Sequence, residues 1–572
     1  MAQRPSSPRR SQRPGGGDMC LGRRGCNRRA RGRYPSALGG RCICTPASVQ
    51  LVEFNRPGHQ IMSYDAVTAA LAELCAAHPE VIDREPPRPQ GPTVWSEAPP
   101  TDKVELHERL TNEFPSTVAA LVACEAAATS NWDDERQWDV LAGAVSAVVQ
   151  DWPEMGLELV GAVGAGHALI AQAVIRGWTM SHPDTELAPR ILDRTATMEL
   201  EPIVGWVTAM VGGFAVSGST PVEWFTYIQS EELAKKCWEL IDPTTPSTLQ
   251  GANDHTMTAL NHPAGHLAEY WVERVGHLWR TSGESWRGIP QEIAEYIAHS
   301  ISEENPRSEA AAVRFCRYLA FFHQADPDWC KQYLFPLFNW EDSPRASAAW
   351  SGFLSAGQWT NKLLADEFLG MLVSTVCHRD QLDKPGQRNL PALLARLTVA
   401  ADVDPLLWLK DFVTDSSVSD RVDWAQAIRH QLSSLDADSV EQQWGRWMHT
   451  YLSDRVSSVP RRLDPQEASA MASWPLFLTE SIVSGIDLML GTENAGLQLH
   501  NLFLHDLGEE QIAQAPEKVA QLLLHMLRKT DGQFYRADSV ERAHAQLNSA
   551  GVNADILRQI EEEATRLGFT IQ

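Results

Sequence analysis

Downstream of Pro516, the residues Val519, Leu522, Leu523, Met526 and Leu527 recur at i, i+3, i+4, i+7 and i+8, with proline in the first turn and Gly532 beyond the end. Val540, Ala543 and Leu547 mark a second helix that stops before Gly551. A third takes Asn553 as its N-cap, turns Ile556, Ile560 and Leu567 inward and ends at Gly568. The same period runs from Thr101 to the C-terminus, broken by Pro, Gly, Asn and Asp and never replaced by strand-like alternation. Helices of about 12–16 residues joined by short turns predict an all-α fold, an irregular α-solenoid of stacked helix pairs with no strict consensus repeat.

Upstream the pattern changes twice. Val67, Leu71 and Leu74 share one face of a short amphipathic helix from Tyr64 to Ala77. Pro86, Pro87, Pro89, Pro92, Pro99 and Pro100 then forbid helix and ladder alike and leave an extended linker. Residues 1–61 carry no apolar period, and the ordered pattern begins directly after Met62, so translation or the genuine domain is expected to begin there. The expected organisation is a disordered Arg-rich head over 1–61, a short helix with its Pro-rich linker over 62–100, and two helical-repeat regions over 101–300 and 301–572. Subdivisions are expected near 302–309, 380–391 and 457–467, where helix breakers cluster.

Charge separates the head from the body. Residues 1–60 hold twelve Arg and no Lys against Asp18 and Glu53, a net of +10, which leaves −34 on the rest of a chain whose total is −24. So acidic a body repels phosphate backbones and anionic lipid, which argues against nucleic acid or a membrane surface as its partner. The head alone could serve as a nucleic-acid arm, since Arg pairs well with phosphate, but its scattered Gly and Pro and its lack of Lys favour an unfolded segment. Arg9-Arg10 is followed by no apolar stretch of the kind an export signal needs, and a cytoplasmic protein is expected.

Ten cysteines, four of them in the head, lack the two tight pairs of a zinc module, so reduced and mostly buried thiols are expected. The apolar stretches Leu159 to Ile175 and Ile203 to Val216 are respectively interrupted by His167, Gln172 and glycines, and too short for a span of roughly 20 residues. Both read as buried helices. Trp is frequent at 20 copies, among them Trp132, Trp138, Trp271, Trp279, Trp340, Trp350, Trp359, Trp444 and Trp447, and such rings fill wedges between helices. A few could instead be exposed anchors for a protein partner.

Candidate chemistry is sparse. With Asn261 as a helix cap, His262 and His266 would lie one turn apart, with Glu269 or Glu273 on the same side and His255 just upstream, a geometry able to hold zinc. No Glu follows His262, so the general base of a zincin is missing, and the start of a helix explains the Asn and Pro equally well. Gly164-Ala165-Gly166 superficially matches a nucleotide-binding loop but lacks its strand–loop–helix context, and a close helix crossing is the expected reason for the glycines. Cys377-His378 is no nucleophile with its base, because neighbours on a helix point apart. Walker loop, nucleophile elbow, kinase set and paired-carboxylate motif are all missing, so no catalytic and no cofactor-binding residue is assigned.

The segment Phe335-Pro336-Leu337-Phe338-Asn339-Trp340-Glu341-Asp342, with Ala346 and Ala349-Trp350-Ser351-Gly352-Phe353-Leu354 after it, resembles the domain-of-unknown-function 4020 family. Leu260-Asn261-His262-Pro263-Ala264-Gly265 upstream and Trp474-Pro475-Leu476-Phe477 downstream look like pieces of the same pattern, from about Asp254 to the C-terminus. The resemblance implies structural roles for Asn261, Pro263, Gly265, Phe338, Trp340, Trp350, Gly352 and Phe353, and no catalytic set. It also implies a bacterial setting, since such regions commonly end long proteins whose N-terminal part is a sirtuin-like NAD-degrading domain linked to anti-phage defence. This chain departs from that layout, for no long α/β pattern precedes the body. Either a partner supplies the enzyme, or the gene is truncated or split.

The expected function is therefore a non-catalytic helical scaffold or sensor whose partner is an NAD-degrading effector or a phage protein. The alternatives are a metal-dependent hydrolase built on His255, His262, His266 and Glu269, and a fragment without independent activity. Phe338, Trp340, Trp350 and Phe353 are expected to form one aromatic junction, with a turn over Asn339 to Ser343 and Pro344 opening the next helix.

Overall fold

The computed structural model describes residues 100–129, 132–216, 224–244, 254–492, 499, 507–530 and 537–571, with helix residues 132–136, 214–216 and 224–228 given by backbone alone. The body forms one compact unit that runs on to Gln572. The Arg-rich head, the helix expected at Tyr64 to Ala77 and the prolines up to Pro99 lie outside the described residues.

Among the described residues every regular element is helical. A row of helices packs in sequence, each on the next: α1 (Trp132–Asp151), α2 (Ala168–Met180), α3 (Val204–Val216), α4 (Pro263–Ser282), α5 (Pro306–Arg317), α6 (Ser343–Ala356), α7 (Lys384–Ala400), α8 (Val418–Leu432) and α9 (Pro465–Met471). Helices alternating with them in the chain pack on consecutive members of the row, as Pro153–Val163 does on α1 and α2 and Gln291–Ser300 on α4 and α5. This is the stacked helix-pair arrangement the apolar period predicts. It runs through residue 300 without a break, because α5 packs on α4. Farther on, α10 (Ile482–Leu490), α11 (Pro516–Lys529) and α12 (Ala554–Arg566) dock in turn. Val519, Leu522, Leu523, Met526 and Leu527 of α11 are all fully buried, whereas on α12 Leu557 is buried and Ile556 only half-buried.

The row owes its register to a recurring start signal. A polar cap side chain followed within two residues by proline opens α4 (His262, Pro263), α5 (Asn305, Pro306), α6 (Asp342, Pro344), α7 (Asp383, Pro385) and α9 (Asp464, Pro465). In each case the cap accepts from a backbone N–H of the first turn, while proline takes a place where an N–H would go unpaired. The start of α8 replaces proline with a capping box, in which Ser417 and Asp420 each accept from the other's backbone N–H.

Glycine sets the closest crossings. A Cβ at Gly352 of α6 would overlap the Val313 carbonyl of α5, and one at Gly265 of α4 would overlap the Ala259 carbonyl of the helix His255–Leu260. Gly164 and Gly166, expected at such a crossing, lie instead in the turn between Pro153–Val163 and α2. Both have positive φ (74° and 90°), and a Cβ on either would meet nothing within 4 Å. They serve backbone conformation and not packing. The apolar stretch from Leu159 to Ile175 is consequently two helices. No helix among the described residues is long and apolar enough to cross a membrane.

Tryptophan fills the core as expected. Trp138, Trp271, Trp350, Trp444 and Trp447 are buried, and Trp279, Trp340 and Trp359 are packed against the core with part of each ring exposed; the Trp132 side chain is outside the described residues. Trp152 and Trp206 are the rings more than a third exposed among those described.

The aromatic junction forms, with one member exchanged. Phe338 ends a 3-10 turn, residues 339–342 make the bend, and Asp342 caps α6. Phe338 meets Trp350 edge-on at 4.7 Å between centroids, and Phe353 lies 6.0 Å from Trp350. The fourth ring is Phe368, stacked 5.5 Å from Trp350, not Trp340. Trp340 turns away to stack on His378 at 4.6 Å and donates its Nε1–H to Thr375 Oγ1 at 3.2 Å.

Candidate interaction site

The starts of α5 to α9 lie side by side along one edge, and four cavities open along it. The first, about 320 Å³, lies between the starts of α5 and α6. The next, about 360 Å³, joins Asp254 and His255 to the start of α7, and a third of about 510 Å³ runs from there to the start of α8, sharing Asp380 and Gln387 with the second. A fourth, about 530 Å³, lies between the starts of α8 and α9 and carries Arg461 and Arg462. Helix starts favour carboxylates, because their first N–H groups lack helical partners and the helix dipole is positive there. In each of the first three cavities Asp and Glu accordingly outnumber Lys and Arg.

The short helix His255–Leu260 braces this edge. The His255 backbone N–H donates to Asp383 Oδ2 at 3.0 Å, while Asp383 Oδ1 caps α7 through the Gly386 N–H at 2.8 Å. His255 Nδ1 lies 3.0 Å from Glu309 Oε1 on α5. Burial alone would lower the His255 pKa, but the bond to Glu309 and the charges of Glu309, Asp383 and Asp254 outweigh it and leave the pKa above the ordinary 6.5.

The four residues considered for a metal do not converge. His255 belongs to the edge just described. His262, not Asn261, caps α4, its Nδ1 accepting the Ala264 N–H at 3.1 Å, and Asn261 instead donates to the Met257 carbonyl at the end of the preceding helix. His266 lies 3.5 Å from Thr208 Oγ1, and burial pulls its pKa below 6.5. Glu269 accepts from Arg314 and from the Tyr318 hydroxyl. Among the described residues no group of three or more His, Cys, Asp or Glu is arranged to hold a metal ion. The reason is local: cap, ion pair and burial each claim one side chain before a shared ligand could.

Cys377 and His378 part as expected. Cys377 Sγ points to the Asp415 carbonyl at 3.6 Å, and burial with the nearby Asp415 and Asp420 carboxylates raises its thiol pKa, the opposite of what a nucleophile needs. His378 is held against Trp340.

Sequence reasoning missed two charged centres. Glu125, 5% exposed, accepts the Leu169 and Ile170 backbone N–H groups at the start of α2 and pairs with His167 Nδ1 at 2.7 Å. Glu467 is held between Arg421 at 2.7 Å and Arg455 at 2.8 Å. Partners on different helices, 12 residues apart for Arg455 and Glu467 and more than forty for the other pairs, leave no local pattern; only the lone Glu125 within the apolar run Phe114–Ala128 hints at its role.

No curated protein and no solved structure matches the chain. Residues 399–564 are similar to the family described as Domain of unknown function (DUF4020), a stretch that takes in α8 to α11, the Trp474-Pro475-Leu476-Phe477 segment and the buried Arg421–Glu467–Arg455 cluster, but neither the aromatic segment Phe335 to Leu354 nor the Leu260 to Gly265 turn.

Proposed function

We propose that this chain is a non-catalytic helical scaffold or sensor, acting in the cytoplasm beside an NAD-degrading effector of a bacterial anti-phage defence system, with the edge of helix starts as its contact surface. The observation that carries this reading is the run of four cavities along that edge, each lined by residues from two helix starts. A surface made by repetition presents polar groups at regular intervals, which suits an extended protein ligand better than a small substrate. Of the candidate metal-binding side chains, His262 is meanwhile occupied as a cap and His255 and Glu269 as ion partners. The link to an NAD-degrading effector rests on the family resemblance alone.

The test has two arms. Purified protein incubated with NAD should leave it intact, and in cells challenged with phage, NAD should fall only when the chain is expressed together with the NAD-degrading gene of its own locus. NAD loss catalysed by the chain alone would overturn the non-catalytic reading. Equal NAD loss with and without the chain would overturn its place in the system.

A further inference from the structure

The cavity between the starts of α5 and α6 has the chemistry of a receptor for one cationic side chain. Four carboxylates surround it: Glu303, Glu304, Glu309 and Asp342. Glu303 is held by Arg307 and Asn305, and Asp342 caps α6 through the Arg345 N–H. Glu309 faces His255, and Glu304 has no partner among the described residues. The one cation in the lining, Arg345, is spent on the Ile301 carbonyl. Ile301, Pro306, Ala312 and Ala348 supply an apolar wall.

Ser308 points independently to a ligand. It lines the cavity, is 1% exposed, and gives its backbone N–H to the Asn305 cap at 2.9 Å, yet its Oγ has no hydrogen-bond partner. A buried hydroxyl without a partner is costly unless something completes it.

We propose that this cavity takes an arginine side chain from an extended segment of a partner protein. The methylene stem lies along the apolar wall, as such stems do on apolar surfaces, and the guanidinium reaches Ser308 Oγ and the Glu304 and Glu309 carboxylates. Arginine fits better than lysine because its planar fork presents several donors in fixed directions, matching acceptors that surround the site on more than one side. At about 320 Å³ the cavity is at the small end for ligand sites and has room for one long side chain. The body's charge of −34 draws such a segment in. The proposal rests on the interaction-module reading above and adds the chemistry of the partner.

The probe is fluorescein-labelled hexa-arginine, with hexa-lysine of equal charge beside it, followed by anisotropy in about 0.15 M salt, where charges beyond roughly 8 Å are screened. Hexa-arginine should bind the wild type more tightly than hexa-lysine. Glu304→Gln with Glu309→Gln should weaken hexa-arginine about tenfold, and Ser308→Ala severalfold, as expected for loss of charge-assisted bonds. Glu108→Gln with Glu232→Gln removes the same charge from exposed positions elsewhere and should leave binding unchanged. Thermal melts confirm that each variant is folded. Equal affinity for the two peptides, equal weakening by the control pair, or no effect of the cavity variants would each overturn the proposal. An effector that still binds the cavity variants as it binds the wild type would remove the arginine site and leave the scaffold reading standing.

Discussion

Arg421 of α8 donates through Nε to Glu467 of α9 at 2.7 Å, with both side chains 1% exposed. Arg455 meets the other carboxylate oxygen at 2.8 Å and is equally buried. Arg455 Nη2 adds a second bond to Glu467, to Oε2 at 3.2 Å, and the Nη1 donors go to carbonyls: that of Arg421 to Ser416 at 2.6 Å, that of Arg455 to Val459 and Arg461 at 2.9 and 2.8 Å. One carboxylate thus joins two helices and the loop before α9. Desolvation nearly cancels the attraction within such a cluster, so its importance shows when one member is removed.

Glu467→Gln should destabilise the protein by about 3–5 kcal/mol, because two guanidinium groups would stay buried with no anion between them. Urea unfolding followed by tryptophan fluorescence measures this. On α12, Glu562 pairs with Arg558 at 61% exposure, and Glu562→Gln should shift stability by no more than about 0.5 kcal/mol. Similar costs for the two variants would show that the Glu467 cluster is hydrated.

Trp350→Ala should cost about 3–5 kcal/mol, the range for removing a large ring from a close-packed core. Trp350 is fully buried, touches Phe338, Phe353 and Phe368, and donates its Nε1–H to the Phe338 carbonyl at 3.2 Å. Trp350→Phe keeps part of the contact and loses the hydrogen bond, so its melting point should fall between the two. An unchanged melting point for Trp350→Ala would contradict the burial on which the junction rests.

The helices were legible because burial on one face imposes a period of 3.6 residues, and that period survives degenerate repeats. Trp350 and Phe353 were legible for the same reason, being i and i+3 on one helix. Phe368 was not, because it ends the π-helical segment Leu364–Phe368, where Asp366 and Glu367 leave helical geometry and erase the period. Trp340 sits in a turn, where tertiary neighbours and not local spacing choose the direction of the ring. The helix start at the histidine cluster was legible but its cap was not, because the Nδ1 of His262 can accept a backbone N–H as the oxygen of Asn or Asp does. The cap-and-proline starts of α4 to α7 and α9 stand in the sequence but did not show as a repeat, because no longer consensus accompanies so short a signal. Arg421 and Glu467 were not readable at all, since nothing within either helix marks the other as its partner.

Gly265 and Gly352 are placed by packing and not by backbone conformation, since both lie inside helices. Gly352→Ala would press a methyl group into the Val313 carbonyl, and Gly265→Ala into that of Ala259. Each should destabilise by about 1–3 kcal/mol, despite the better helix propensity of alanine, because α5 and the His255–Leu260 helix must move. Gly143 of α1, which has nothing within 4 Å of its Cβ position, is the control. Gly143→Ala should be neutral or stabilising by up to about 1 kcal/mol. Thermal melts of the three variants side by side make the comparison, and equal shifts would show that the two crossings have room for a methyl group.

Two histidines eleven residues apart should respond to pH with opposite sign. Burial, helped by Arg314 and His262, holds the pKa of His266 below 6.5 against the opposing effects of its bond to the Leu260 backbone and of Glu269. The unfolded chain therefore takes up a proton that the folded chain resists, so the stability tied to His266 is present above the unfolded pKa and is lost as pH falls toward the folded one. His255 is the reverse. Its raised pKa stabilises the fold below the unfolded value, and that contribution is lost as pH rises through the folded pKa. Urea unfolding at intervals from about pH 5 to 8 spans both sites. Relative to the wild type, His266→Gln should lose less stability on acidification, and His255→Gln should lose less on going from acid to neutral pH. If the two variants change the slope in the same direction, the Glu309 contact does not hold a proton on His255, and the bracing of the α5–α7 edge would have to be assigned to the Asp383 backbone bond alone.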